Sequence, residues 1–180
     1  MYSIDELPLQ DLQNFWSLLY MDFCRKICTD HPAEGETVIR RAIAETGRRQ
    51  GEWQRQEHEQ MGLNTNLHSF FLDGRGAVCD PRSAAAVHTR NTEVCLWDRY
   101  ICPMANYWAA HSAEAYGRFY CEEYMRAFLS GYTGGKGQFH LSKVLTDKRD
   151  ILCQFAAYFR PANLELEQRR KAFESTPVRQ

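Results

Sequence analysis

Two apolar segments close together near the C-terminus place the strongest limit on how this 180-residue chain folds. Residues 140–145 and 151–159 each have the composition of a β-strand, and only the polar residues 146–150 separate them. A connection this short suits antiparallel neighbours, because parallel neighbours need a crossover of about a dozen residues or more. The pair therefore predicts an antiparallel sheet.

The first sixty residues have the periodicity of helices. An amphipathic helix is predicted over residues 9–29 from apolar residues at helical spacing, namely Leu12, Phe15, Trp16, Leu19, Phe23 and Ile27. A second helix is expected from residue 33 to residue 61, with Gly62 as its C-terminal stop. Its early half has an apolar stripe, whereas residues 48–60 are almost wholly polar. That polar half is expected to project into solvent or to cover a partner subunit.

The central part of the chain supplies the remaining elements. Residues 67–72 are interpreted as a strand with a turn after it at 73–76, and residues 87–101 as a further strand. Pro103 suits the first position of a helix that runs to Tyr116, where Gly117 is expected to bend or break it. Helical pattern resumes over residues 119–129, and a glycine-rich connection leads to the closing strands.

This order of elements predicts an α+β fold, in which an antiparallel sheet of about four strands packs against N-terminal and central helices. The length suits a single domain. We expect it to span residues 1–163, followed by a charged C-terminal tail at 164–180. No internal repeat or linker divides the sequence.

Charge and hydropathy limit the partners of such a domain. The formal net charge is −1, whereas binding to nucleic acid needs a positive excess. No stretch reaches the ~18 apolar residues of a membrane span, and the N-terminus lacks the pattern of a signal peptide. We therefore expect a cytoplasmic protein without nucleic-acid or membrane partners, which can form a homo-oligomer. Its seven cysteines are then expected to be thiols, with Cys24 and Cys28 in the core.

Cys102 is the first candidate for chemistry. It lies where a strand is expected to pass into a helix, and Pro103 at the first helical position makes Cys102 the N-cap. The free N–H groups and the helix dipole at this position favour a thiolate, which is the nucleophilic form of cysteine. The alternative is a small capping residue without chemistry.

Three polar residues precede Cys102 at the end of the same strand. Asp98, Arg99 and Tyr100 bring a carboxylate, a cation and a phenol together. This mixture suits a small, polar and anionic substrate, and the planar guanidinium of Arg99 suits its carboxylate.

Cys121 is the second candidate thiol. It shares a helical face with Tyr124, a further candidate for substrate contact, so the alternative is a thiol in the core. Glu123 is offset from Cys121 by ~200° on an ideal helix, and this spacing does not support a direct Cys121–Glu123 pair. His140 enters the sheet after the glycine-rich connection and is free to approach either cysteine.

Three segments of this region have a pattern in common with one enzyme family. They are Ile101-Cys102-Pro103, the run from Ala115 to Cys121 with the acidic residues after it, and the closing segment that contains Cys153-Gln154-Phe155. Over roughly residues 90–160 the chain resembles the L-2-amino-thiazoline-4-carboxylic acid hydrolase family. The resemblance implies a small α+β enzyme that hydrolyses a five-membered cyclic amidine or isothiourea to a carbamoyl amino acid. The Cys-x-Phe ending is also similar to vinyl-reductase-like ligand domains, which implies a non-catalytic sensor or carrier as the alternative.

The resemblance implies roles for the candidate residues. Cys102 or Cys121 would attack the amidine carbon while His140 or Glu123 moves protons. A water molecule activated by Glu123 is an equal alternative. The small-molecule substrate is the expected partner, and neither cofactor nor metal is expected, although these four side chains include possible zinc ligands.

Overall fold

The computed structural model describes residues 9–72 and 83–159. Within these ranges, five helices span Leu9–Asp30 (α1), Gly35–Gln60 (α2), Leu67–Leu72 (α3), Pro103–Ala110 (α4) and Glu114–Tyr132 (α5). Four strands span Ala84–Arg90 (β1), Val94–Ile101 (β2), Gln138–Lys143 (β3) and Cys153–Tyr158 (β4). They form one antiparallel sheet in the order β1-β2-β4-β3, which confirms the predicted α+β class.

Helix α2 packs closely against α5, so the prediction that residues 48–60 project into solvent or cover a partner is wrong. Gly47, Gly51, Gln54 and His58 are buried at three- and four-residue spacing along this half of α2. A Cβ atom at Gly47 would lie 2.6 Å from the Tyr124 carbonyl oxygen, which leaves no room for a side chain. The polar composition conceals this face because glycine, not an apolar side chain, makes the contact.

The two helices run parallel, since their contacts advance in the same direction along both. Near the start of α2, Arg40 forms ion pairs with Glu122 (2.7 Å) and Glu123 (3.2 Å) on α5. Near its end, the His58 Nδ1 lies 2.8 Å from the Tyr132 hydroxyl. This register aligns α5 with α2 from Glu122 to Tyr132.

Helix α1 forms as its periodicity predicts. Its buried side carries Ser17, Met21 and Cys24, and the indole of Trp108 donates a hydrogen bond to the Ser17 carbonyl (3.2 Å). The large apolar residues that reveal the helix in the sequence remain 38–62% exposed, and they are Leu12, Phe15, Trp16, Leu19 and Phe23. Helix α1 is therefore apolar on two sides, only one of which lies in the core.

Residues 67–72 form the helix α3, so the strand predicted there is wrong. The side-chain Oδ1 of Asn66 accepts a hydrogen bond from the Ser69 N–H at 2.9 Å. Asparagine at this position caps the free N–H groups of a helix start. The helix then buries Leu67 and Phe70 completely in the core beside the sheet.

The strand predicted over residues 87–101 is a hairpin of β1 and β2. Asn91 forms the turn, because its Oδ1 accepts hydrogen bonds from the N–H groups of Glu93 (2.9 Å) and Val94 (2.8 Å). Such side-chain bonds imitate a backbone turn. An extra strand is thereby placed at the edge of the sheet.

Helix α4 begins at Pro103 with Cys102 as its N-cap, as predicted. It ends at Ala110 instead of Tyr116, and Ser112 in the turn that follows has a left-handed φ of 53°. Gly117 neither bends nor breaks the helix, since it lies inside α5. A Cβ atom at Gly117 would lie 2.9 Å from Cδ2 of Trp108, so this glycine makes room for the indole ring.

The two closing strands pair antiparallel as predicted, although β3 begins two residues earlier than predicted, β4 is shorter than predicted, and residues 144–152 connect them. In the centre of the sheet, β2 and β4 pair in an unbroken register that sets Trp97 opposite Phe155 and Arg99 opposite Cys153. The edge strands β1 and β3 each contain register shifts. The central pair therefore fixes which side chains meet.

The core lies between α5, α3 and one face of the sheet. Trp97 stacks on Phe155 with ring centroids 4.8 Å apart, and Phe70 packs edge-on against Phe128 at 4.9 Å. Within the described residues, no helix combines the length and the apolar character needed to cross a membrane. The predicted turn at 73–76, the end of the domain at residue 163 and the tail at 164–180 lie outside the described residues.

We expect Gly51→Ala to destabilise the fold by about 3 kcal/mol, which is at the upper end for overpacking. The new Cβ atom would lie 2.5 Å from the Tyr132 backbone nitrogen, so α2 and α5 would have to separate. In an unpacked helix the same change stabilises by about 1 kcal/mol. Urea unfolding measures the difference, with Arg49→Ala on the exposed side of α2 as the control. A neutral or stabilising effect would contradict the close packing.

Candidate functional site

Three cysteines and one arginine from four elements converge beside the core. Cys102 precedes α4, Cys121 lies in the middle of α5, Cys153 opens β4, and Arg99 stands opposite Cys153 near the end of β2. Electrostatic interactions join the Cys121 thiol to Cys102, Cys153 and Arg99. We call these four residues the Arg99–thiol cluster. The structure thus brings three predicted site residues together, namely Arg99, Cys102 and Cys121.

The Cys121 thiol is held in its neutral form. Burial is the largest cause and raises the pKa of Cys121 far above the usual value, and the neighbouring Cys102 and Cys153 raise it further. The Thr146 hydroxyl and Arg99 act in the opposite direction. Cys121 as a whole residue is half-buried, and its thiol is shielded from water enough to stay neutral.

Cys153 has a similar environment. Burial raises the pKa of the Cys153 thiol to about 11, although a hydrogen bond from the Leu145 N–H to Sγ (3.2 Å) acts to lower it. Arg99 also lowers the pKa of Cys153, while Cys102 raises it. This thiol is therefore neutral near pH 7 and is fixed in position by the backbone after β3.

Two polar groups of this region lack a hydrogen-bond partner among the described residues. They are the buried Nε of Arg99 and the Oγ1 of Thr146, a residue only 4% exposed. The Thr146 hydroxyl approaches Cys121 closely enough to lower the pKa of the thiol, but forms no complete hydrogen bond there. Unpaired buried donors are costly, and a polar ligand that accepts hydrogen bonds would satisfy them.

An aromatic wall borders the cluster. Tyr120 adjoins Cys121 in sequence, stacks on Tyr124 (4.9 Å between centroids) and packs against Trp16 (5.1 Å). Burial raises the pKa of Tyr120 well above the usual value, so its hydroxyl stays protonated. Tyr124 belongs to this wall, and its ring and that of Tyr120 line a groove between α1 and α2.

The structure places Glu123 in an ion-pair network instead of beside a thiol. Glu123 pairs with Arg40 of α2 and with Arg126 of its own helix. Its neighbour Glu122 pairs with Arg40 at 2.7 Å and with Arg118 at 2.5 Å. These contacts hold α5 against α2 and occupy the carboxylates.

His140 and the polar neighbours of Arg99 lie on other surfaces. His140 is exposed on β3, where its ring centroid is 6.0 Å from that of Tyr158. Since strand residues alternate between faces, Asp98 and Tyr100 point away from Arg99. Asp98 Oδ2 bonds instead to His88 Nε2 at 2.9 Å, and its Oδ1 is buried and finds no partner among the residues that the structure describes. These three residues are not brought to the Arg99–thiol cluster.

In the two described ranges, no three His, Cys, Asp or Glu side chains lie in positions that could hold a metal ion. The three cysteines of the cluster are near one another but do not form such a group. The possible zinc ligands of the sequence are therefore divided. Cys102 and Cys121 belong to the cluster, whereas Glu123 and His140 lie on the outer surfaces.

Sequence reasoning did not assign roles to Cys153, Thr146 and Tyr120. Cys153 stands in the closing motif, but only the β2–β4 register shows that it meets Arg99. Thr146 was part of a polar turn, and Tyr120 was one ring among many. No local sequence pattern marks Thr146 or Tyr120 as a neighbour of the cluster.

No protein-family model matches the sequence, and no curated protein matches it either.

Cys102 is expected to react with limiting iodoacetamide before Cys24 and Cys28. Cys102 is partly exposed, whereas Cys24 is 2% exposed and burial raises its pKa to about 11. Burial and the nearby Glu36 also raise the pKa of Cys28. Each cysteine falls in a different tryptic peptide, so mass spectrometry can follow all seven separately. Earlier labelling of Cys24 or Cys28 would contradict the prediction.

The Glu122 ion pairs predict a pH-dependent part of the stability. Burial acts to raise the pKa of Glu122, but hydrogen bonds from Arg118 and Arg40 lower it below 4.5 overall. The stabilisation is then present above pH 4.5 and is lost as the pH falls through the lowered pKa.

Glu122→Gln should accordingly reduce the free energy of unfolding by about 0.5–1 kcal/mol at pH 7, as expected for a partly exposed pair. The difference from the wild type should shrink as the pH falls below 4.5 and should disappear at a pH low enough to protonate Glu122 in the folded protein. Glu45→Gln, on the exposed side of α2, serves as the control, and urea unfolding is measured at both pH 7 and the low pH. A difference that persists at low pH would show that the ion pairs are not its source.

Proposed function

We propose that this protein binds a small cyclic amidine or isothiourea that carries a carboxylate, and opens its ring by hydrolysis. The observation that carries the proposal is the buried Nε of Arg99, which lacks a hydrogen-bond partner among the described residues and lies beside the Cys121 thiol. A guanidinium binds carboxylates in a fixed geometry, and a thiol can add to an electron-poor carbon. The resemblance to the thiazoline-carboxylic acid hydrolase family names the same class of substrate.

The proposed reaction consumes one water molecule. The sulfur of Cys121 or Cys102 adds to the amidine carbon, one ring bond at that carbon breaks, and the departing ring atom takes up a proton. Water then attacks the same carbon and releases the thiol, which leaves a carbamoyl amino acid. Direct attack of water on the amidine carbon gives the same product, with the thiols as contacts only.

The substrate itself can accept the first proton. Neither Glu123 nor His140 lies in the cluster, and the carboxylate of Asp150 interacts with it only through Cys153. Burial keeps Cys121 protonated in the empty site. A basic amidine that enters the site can take this proton, so that thiolate and amidinium form together at the distance needed for attack. Arg99 would hold the carboxylate and stabilise the thiolate.

A second candidate function is binding without turnover. The raised pKa values of Cys121 and Cys153 and the aromatic wall at Tyr120 are equally suited to a sensor or carrier of a small acid. Such a protein needs the Arg99 contact but no reactive thiol. Turnover distinguishes the two functions, since both include saturable binding.

Arg99→Ala is expected to raise the KM for 2-amino-thiazoline-4-carboxylate much more than the KM for its amide. The loss of a guanidinium–carboxylate pair removes a charge-assisted contact that only the acid can make. Steady-state kinetics on both substrates, with Arg90→Ala on edge strand β1 as the control, gives the comparison. Equal effects on acid and amide would mean that Arg99 only supports the structure.

Cys121→Ser or Cys102→Ser should reduce ring opening by about 100-fold or more, which is the lower range for one catalytic group. Mass spectrometry detects the product as the substrate plus one water, in metal-stripped buffer. Cys28→Ser, on α1 away from the cluster, should leave the rate unchanged. Saturable binding without any product would support the carrier instead. Activity that survives both substitutions would exclude a covalent step at Cys121 and Cys102.

A further inference from the structure

The outer side of α1 presents an apolar surface that the chain does not cover in the described residues. The stripe consists of five large side chains that recur at three- and four-residue spacing, each 38–62% exposed: Leu12, Phe15, Trp16, Leu19 and Phe23. We call them the α1 stripe. Single exposed apolar residues are ordinary, but a contiguous row of this size marks an interaction site.

An apolar groove lies directly beside the stripe. It has a volume of about 470 Å³ and runs between α1 and α2, with Tyr120 and Tyr124 of α5 lining it. Trp16 and Phe23 belong to both the groove and the stripe. None of the residues that line the groove is charged, so covering it removes no ionised group from water.

We propose that the α1 stripe and this groove form the interface of a homodimer with two-fold symmetry. In a two-fold interface each subunit offers the same surface, so that surface must be complementary to itself. A projecting apolar row beside an apolar groove meets this requirement. Phe15 and Leu19 of each subunit would enter the groove of the other, as an amphipathic helix enters a hydrophobic groove.

The available area fits a dimer better than a small ligand. At their exposures, the three aromatic and two leucine side chains present roughly 500 Å², near the upper end for the largest patch on a monomer. A standard interface takes roughly 800 Å² from each partner, which the stripe and the walls of the groove together approach. A small molecule in the groove would leave Leu12 and Phe15 in water.

Charge also favours a second copy over an anionic surface. The stripe and the groove lack the lysines and arginines that attach amphipathic helices to lipid headgroups. The chain as a whole has a net charge of −1, so two copies repel each other only weakly. The interface would bury Tyr120 and Tyr124 more deeply, since both line the groove.

Sedimentation equilibrium of the full chain at micromolar concentration tests the proposal. The expected mass is twice the 21.0 kDa of one chain. Phe15→Asp and Leu19→Asp should each weaken self-association by about 30-fold or more, the effect of losing a residue that dominates an interface. Both residues are exposed in the monomer, so the helical circular dichroism signal should not change.

Ile151→Asp is the matched control. Ile151 is 84% exposed in the β3–β4 connection, away from the stripe, and its replacement should leave the dimer intact. A monomeric wild-type protein would overturn the proposal, and so would a dimer that persists in both α1 variants. Binding of a monomeric wild type to neutral phospholipid vesicles would identify the stripe as a membrane contact and would equally overturn it.

Discussion

The close contact between the backbones of α2 and α5 is the constraint on which the rest of the structure depends. Gly47 and Gly51 allow the two helices to approach until no Cβ atom would fit between them. Because the helices are parallel and in register, this contact fixes the rotation of α5 about its axis. One side of α5 then faces α2, while Cys121 is left to face the end of β2 and the start of β4. The ion pairs of Glu122 and Glu123 with Arg40 hold the same register from the other end.

The sequence predicted those parts of the fold that depend on local chemistry. The periodicity of α1, the proline at the start of α4 and the two closing strands all lie within short segments, and each element forms there. The predictions that were wrong concern contacts between distant segments, or turns that depend on a single side chain. Residues 48–60 show no apolar stripe because glycines form part of the packed face. Asn66 determines the start of a helix and Asn91 the turn of a hairpin, and the hydrophobic pattern alone reveals neither.

The candidate site was predictable to a similar extent. Arg99 and Cys102 are neighbours in sequence, and their joint position at a strand end follows from local pattern. Cys121 joins them because α5 is held in one rotation, which local periodicity does not determine. Glu123 was placed correctly on a face unlike that of Cys121, yet its partner Arg40 lies 83 residues away and could not be identified from spacing. His140 turned outward because alternation along β3 is set by the register with β4.

The sheet and the helices of this molecule differ in how they can associate with a neighbouring chain. The sheet ends in β1 and β3, and the pairing of each with its inner neighbour is interrupted by register shifts. Irregular edges twist the free backbone groups out of line, so a strand from another molecule finds no continuous row to extend. Growth of the sheet from molecule to molecule, the first step toward fibres, is therefore impeded at both ends. Helices of two molecules can still pack side by side, and this kind of association ends once the matching surfaces are covered.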